Sequence, residues 1–187
     1  MIVIYGGSGS GKSEYAEDYI CRLDFKNKYY LATMDVYDAE SRKRVEKHRS
    51  QRAGKGFITI ERPFDVAEAF EKIEKIEAAD FSTEDLKGKN NVILLECLSN
   101  LLANEMFRGG EVYSAKYCCD KIFSDINRLS ELVDELIIVT NDIFEDGVEY
   151  DLGNEEYLRA LGRINTYLSR EAKEVYEVVV GIPVRIK

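Results

Sequence analysis

The stretch Met1-Ile2-Val3-Ile4-Tyr5-Gly6-Gly7-Ser8-Gly9-Ser10-Gly11-Lys12-Ser13 decides the fold. Its apolar run, Ile2 to Ile4, has the character of a strand buried on both faces. A glycine-rich turn follows, and Lys12 to Leu23 then reads as a helix. Gly6 to Ser13 fits G-x-x-x-x-G-K-[ST], the phosphate-binding loop, with the preceding strand and following helix that the motif needs. Glycines let successive backbone N–H groups converge on a polyanion. The new helix N-terminus adds partial positive charge at the same place. Nucleoside triphosphate binding is therefore expected at Gly6, Gly7, Ser8, Gly9, Ser10, Gly11, Lys12 and Ser13. Lys12 supplies a point charge for the β- and γ-phosphates, and the Ser13 hydroxyl is a ligand for Mg²⁺.

Outward from this loop, apolar runs alternate with helical stretches. Residues 29–33, 57–60, 92–95, 136–140 and 175–180 read as strands, with 184–186 as an edge strand. Between them, 38–51, 65–79, 98–107, 112–133 and 155–173 read as helices, and Pro63 bars the second of these from starting much earlier. Continuous rather than alternating apolar runs imply strands covered on both faces. The expected fold is α/β and P-loop NTPase-like: a mostly parallel central sheet flanked by helices. Residues 142–154, acidic and irregular, form a longer loop of the kind that often carries function.

The chain has 187 residues, 45% of them apolar and 33% charged. That suits one domain over residues 1–187, burying roughly 70% of its unfolded surface. No apolar run approaches the ~20 residues of a membrane span, and no basic leader precedes Ile2, so a cytoplasmic setting is expected. The net charge of −9 opposes broad nucleic-acid binding. Cys21, Cys97, Cys118 and Cys119 form no C-x-x-C pair beside the single histidine, so they read as reduced thiols in or near the core.

A carboxylate is expected to close an apolar strand near the phosphates. Val92-Ile93-Leu94-Leu95 ends in Glu96, while Asp35, past the second strand, is a competing metal candidate. The Asn-Lys-x-Asp guanine signature is absent. A carboxylate at a strand end, Glu61 or Glu96, can instead accept the N1–H and N2–H of guanine. Arg42, Lys43, Arg44, Lys47, Arg49, Arg52 and Lys55 make a basic cluster on an acidic chain, either a solvated helix face or a second anion site. His48 lies at its centre. Neighbouring arginines favour neutral imidazole, the nucleophilic form, which can attack an α-phosphate and hold a nucleotidyl group as a phosphoramidate.

Several segments together resemble the bifunctional adenosylcobinamide kinase/adenosylcobinamide-phosphate guanylyltransferase family of cobalamin biosynthesis. They are the phosphate loop, Tyr30-Leu31-Ala32-Thr33, Arg44-Val45-Glu46-Lys47-His48-Arg49, Thr59-Ile60-Glu61 and Leu94-Leu95-Glu96-Cys97 with its Leu/Asn-rich helix. Ile138-Val139-Thr140-Asn141, Gly162-Arg163-Ile164-Asn165 and the closing Val178 to Lys187 complete the set. The resemblance implies phosphorylation of the aminopropanol hydroxyl of adenosylcobinamide by ATP or GTP. GMP transfer from GTP to that phosphate follows, releasing pyrophosphate. It places the covalent guanylyl group on His48 and catalytic charge on Lys12. It places nucleotide contacts on Gly6 to Ser13, Ala32, Thr33, Met34, Arg49, Ser50, Gln51, Arg52, Glu61 and Glu96. It also implies a homotrimer. The chain departs from the family at Lys47-His48, where paired histidines are usual, at Gln51-Arg52-Ala53, and after Asn141, where Asp142-Ile143-Phe144 begins a corrinoid or subunit contact. A simple P-loop small-molecule kinase and a nucleotide-gated binding protein are the alternatives, separated by whether covalent GMP and acceptor-dependent product form.

Overall fold

The computed structural model describes residues 1–35, 43, 45–46, 49–50, 52–69, 71, 73, 90–143 and 152–187. These form a seven-stranded sheet: β1 (Ile2–Gly6), β2 (Asn27–Ala32), β3 (Phe57–Glu61), β4 (Asn91–Glu96), β5 (Glu135–Asn141), β6 (Glu174–Val179) and β7 (Ile182–Arg185). The order across the sheet is β3-β2-β4-β5-β1-β6-β7. All neighbours pair in parallel except β6 and β7, which form an antiparallel hairpin at one edge. The helices with full bounds are α1 (Lys12–Cys21), α2 (Leu98–Met106), α3 (Ala115–Leu132) and α4 (Leu152–Glu171). None of the described helices is long and apolar enough to cross a membrane.

Strand pleating divides the core in two. Ile2, Ile4, Tyr30, Val92, Leu94, Ile137 and Val139 face α1, where Ala16 and Ile20 close a small cluster. The alternate residues Val3, Tyr29, Leu31, Ile93, Leu95, Leu136 and Ile138 face the larger cluster built by α2, α3 and α4. Both faces are thus covered, which is why the strands read as unbroken apolar runs rather than alternating ones. Because the central strands run parallel, their C-terminal ends meet at one edge. The phosphate loop, Glu96 and Asn141 all lie there.

Several boundaries differ from the sequence reading. Helix α3 starts at Ala115 rather than Val112, because the Ser114 hydroxyl caps it by accepting Tyr117 N–H at 3.3 Å. Val112 stays 69% exposed outside it. Helix α4 starts at Leu152, three residues before the expected Glu155. The predicted helix from Asp65 opens as a 3₁₀ turn, Val66–Glu68, and residues 74–79 of that span lie outside the described residues. Of the four cysteines, Cys97, Cys118 and Cys119 are buried free thiols, but Cys21 is exposed at the end of α1.

Candidate active site

The loop between β1 and α1 keeps its shape through contacts that only glycine permits. A Cβ on Gly6 would sit 2.5 Å from the Val178 carbonyl oxygen and 2.7 Å from Ser10 Oγ. Gly11 has φ 90°, and a Cβ there would also press on Gly181. Gly181 N–H donates to the Ser10 carbonyl at 2.7 Å, tying the loop to the β6–β7 turn. Lys12 is 8% exposed, and its Nζ donates to the Gly7 carbonyl at 3.0 Å. The ammonium therefore sits inside the curl of the loop, beside the open amides of the α1 N-terminus.

Opposite Lys12, the Ser13 hydroxyl donates to Glu96 Oε1 at 2.7 Å. Glu96 Oε2 is buried and has no partner among the described residues. Burial pushes the Glu96 carboxyl up to about 7, against the lowering influence of Ser13, Lys12 and Arg52. A hydroxyl beside a carboxylate with a spare buried lone pair is an oxygen donor set of the kind that suits Mg²⁺. Glu96 therefore belongs to the phosphate end of the cavity. Asp35 does not line it.

The third charged wall comes from Arg52. Its side chain is 7% exposed, yet Nε and Nη1 have no hydrogen-bond partner among the described residues. The guanidinium lies 3.5 Å above the centroid of the Tyr30 ring. A buried guanidinium without an acceptor is costly unless an anion completes it. Lys55, between the left-handed Gly54 and Gly56, holds the neighbouring segment against α1 through Glu17 and Asp18, each 2.9 Å away. Desolvation pulls the Lys55 amine down, but hydrogen bonds to Asp18 and Glu17 outweigh it and hold the amine at about 12.

The predicted contacts fall into two cavities. One, of about 760 Å³, is lined by Ser8, Gly9, Gly11, Lys12, Ser13, Ala32, Met34, Arg52 and Glu96. The other, of about 710 Å³, lies against β3 and includes Arg49, Arg52 and Glu61. Arg52 is common to both. Arg49 and Glu61 form an ion pair, with side chains 54% and 56% exposed. Gly6, Gly7 and Ser10 shape the loop from behind. Ser50 is exposed and helical. Thr33 is fully buried: its Oγ1 donates to the Cys97 carbonyl at 2.7 Å and its N–H to the Glu96 carbonyl at 2.9 Å. Its side chain is thus a tie between strand ends and does not face the cavity. His48 and Gln51 lie outside the described residues.

Sequence reasoning missed Glu17, Tyr30, Asn100 and Asn141 on the first cavity's walls, where Lys55 of the basic cluster also lies. Two of these had a signal. Glu17 is four residues after Ser13, so helical spacing puts both on one face. Asn141 ends a buried strand and is the register partner of Gly6.

A parallel sheet with this loop, lysine and strand-end carboxylate at the first crossover defines a P-loop nucleoside triphosphate-binding protein. A prototypical ATPase from the type III secretion system of pathogenic bacteria has the same fold: TM-score 0.51 at 14% identity, over 98% of this chain and 56% of that one. More specifically, residues 2–186 match the family described as cobinamide kinase / cobinamide phosphate guanyltransferase, and the chain belongs to it. It is 30% identical to the bifunctional adenosylcobalamin biosynthesis protein CobU of Escherichia coli (strain K12), over 100% of this chain and 99% of that protein. The protein of the same name from Salmonella typhimurium (strain LT2) gives the same identity and coverage.

Proposed function

We propose that the chain phosphorylates the aminopropanol hydroxyl of adenosylcobinamide with ATP or GTP. It then transfers GMP from GTP to that phosphate through a guanylyl group on His48. The observation that carries the reading is the buried Arg52 guanidinium, whose Nε and Nη1 have no acceptor among the described residues, on the wall of the phosphate-loop cavity of a chain in this family.

In the kinase step, Lys12 and the loop amides hold the nucleotide's terminal phosphates and stabilise charge on the phosphoryl group as it moves to the hydroxyl oxygen. Ser13 and Glu96 are the residues that would hold Mg²⁺, whose chemistry when bound is charge neutralisation on the phosphate oxygens. In the transfer step, a ring nitrogen of His48 attacks the α-phosphorus and the α–β bridging bond breaks. Pyrophosphate leaves with the bonding pair and rests on the loop amides and Lys12. An oxygen of the acceptor phosphate then attacks the same phosphorus, breaking the N–P bond and giving adenosylcobinamide-GDP. Arg52 and Arg49 neutralise phosphate charge in both steps. Because Glu96 lies beside Ser13 at the phosphate end, Glu61, on the outer cavity, is the strand-end carboxylate assigned to the guanine edge. The working state is a cytoplasmic homotrimer that binds no nucleic acid, which sedimentation checks by returning three chain masses.

GTP labelled at the α-phosphate, given with Mg²⁺ and no acceptor, tests this reading. The expected result is protein-bound label, acid-labile and alkali-stable, that disappears in His48→Ala. Absence of label from protein shown to bind GTP would overturn the histidine role and leave a plain kinase.

A further inference from the structure

Helix α2 opens directly after Glu96 and Cys97, and it buries Leu98, Leu101, Leu102 and Met106 together with the polar Ser99, Asn104 and Glu105. Of these polar residues, Asn104 reaches furthest across the sheet's end. It is 8% exposed, in a helix interior where asparagine is a poor former. Its Nδ2 donates both hydrogens, one to the Thr33 carbonyl at 2.8 Å and one to the Pro63 carbonyl at 3.0 Å. The amide group alone can donate to two carbonyls, so the side chain has one orientation.

The two acceptors lie where the sheet ends. Strands β2 and β3 pair through Ala32 and Glu61, and Arg62 N–H to the Ala32 carbonyl, at 2.9 Å, is the last rung. Beyond it the chains diverge, one into Thr33-Met34 and the other into Pro63-Phe64. The Asn104 carboxamide stands in for the next rung. Thr33 in turn is fastened to Glu96 and Cys97, so one side chain joins the exits of β2, β3 and β4. One residue on, the Glu105 carboxylate accepts Asp65 N–H at 2.8 Å, and Arg108 pairs with Asp65 at 2.8 Å. Segment 63–65 is thereby held against α2 on the side that carries Glu61.

We propose that Asn104 is a positioning residue of the nucleotide site. It fixes the spacing between the Ala32–Met34 segment, on the phosphate-loop cavity, and Glu61, on the outer one. This rests on the reading above that both segments contact the nucleotide. Removing its donors strands the buried Thr33 carbonyl and the part-buried Pro63 carbonyl and frees the two loops to separate. Nucleotide binding then weakens while the reacting groups around Lys12 keep their places.

Asn104→Leu removes the donors, and Asn104→Asp keeps the volume while leaving only acceptors. Steady-state guanylyl transfer to adenosylcobinamide phosphate is measured with each. The KM for GTP should rise by about tenfold in both, as loss of this pair of hydrogen bonds allows, with kcat within about twofold of the parent. Leu129→Ala, a core truncation in α3 far along the sequence from both segments, is the reference for destabilisation alone. It should lower Tm and leave the GTP KM unchanged. An unchanged KM in both Asn104 variants, an effect confined to kcat, or an equal KM rise in Leu129→Ala would each overturn the proposal. If the parent forms no transfer product, the functional reading fails instead, which is a separate result read before any variant.

Discussion

The two cavities that share Arg52 differ in how they are held. The phosphate loop and the groups beside it are fixed: Gly6 and Gly11 by sterics, Lys12 by its hydrogen bond to Gly7, and Ser13 and Glu96 by one another. Against β3 the polar groups, Arg49 and Glu61, are more than half exposed and held mainly by their mutual ion pair. A fixed wall suits chemistry that recurs on every phosphate. An open, charged wall on an edge strand suits recognition that must admit and release a ligand.

That contrast sets the sizes of the expected effects. Lys12→Ala should lower turnover in both reactions by about 10²–10³-fold, the cost of one preorganised charge at the transferring group. Rate measurements on each half-reaction check this, with melting temperature as the control for folding.

Glu96→Gln should come next, with activity falling roughly tenfold to a hundredfold as the metal's support weakens. It carries a pH signature. Metal capture by the nucleotide-free parent should strengthen as pH rises through about 7 and the Glu96 carboxylate ionises, and that pH dependence should vanish in the variant. Stability runs the opposite way. The folded-state pKa is raised from 4.5 to about 7, so between those values the folded protein holds a proton that the unfolded chain has lost. Without nucleotide, the parent should lose stability across that window and Glu96→Gln should not. Melting curves from about pH 5 to about pH 8 show the sign.

Arg52→Met should lower the kcat/KM of GTP roughly tenfold, since charge-assisted contacts to phosphate are lost. The nucleotide-free protein should be no less stable, because two nitrogens of the buried guanidinium it loses, Nε and Nη1, have no acceptor among the described residues. Smallest of all, Arg49→Ala should change stability by about 0–1 kcal/mol, as exposed pairs do. If unfolding curves show Arg49→Ala to be the more destabilising of the two, the outer cavity is not the loosely held one.

Much of this architecture could be read from the residues, for identifiable reasons. Parallel strands buried on both faces leave unbroken apolar runs, so β1, β4 and β5 stand out. The phosphate loop needs its glycines at fixed positions, so Gly6 to Ser13 stands out as well. Strand order is invisible to such reasoning, because β1 and β6 pair across the whole chain. Tyr30 reads as an ordinary core aromatic until Arg52 is found above it. Thr33 sits beside two segments of the site, yet its hydroxyl turns inward to Cys97. Asn104 and Lys55 act through carbonyls and carboxylates distant in sequence, which spacing alone does not bring together. Ser114 moves a helix start that apolar Val112 had seemed to mark.

The sheet order also bears on biosynthesis. The phosphate loop leaves the ribosome well before the partners that flank its strand: Ile2 pairs with Ile137 and Glu174. Loop closure over such separations is slow. A nascent chain halted before β6 would carry the whole glycine-rich motif yet lack the Val178 carbonyl and the Gly181 N–H that shape it. Nucleotide capture should therefore appear as a step when the β6–β7 hairpin emerges, long after the motif itself is made.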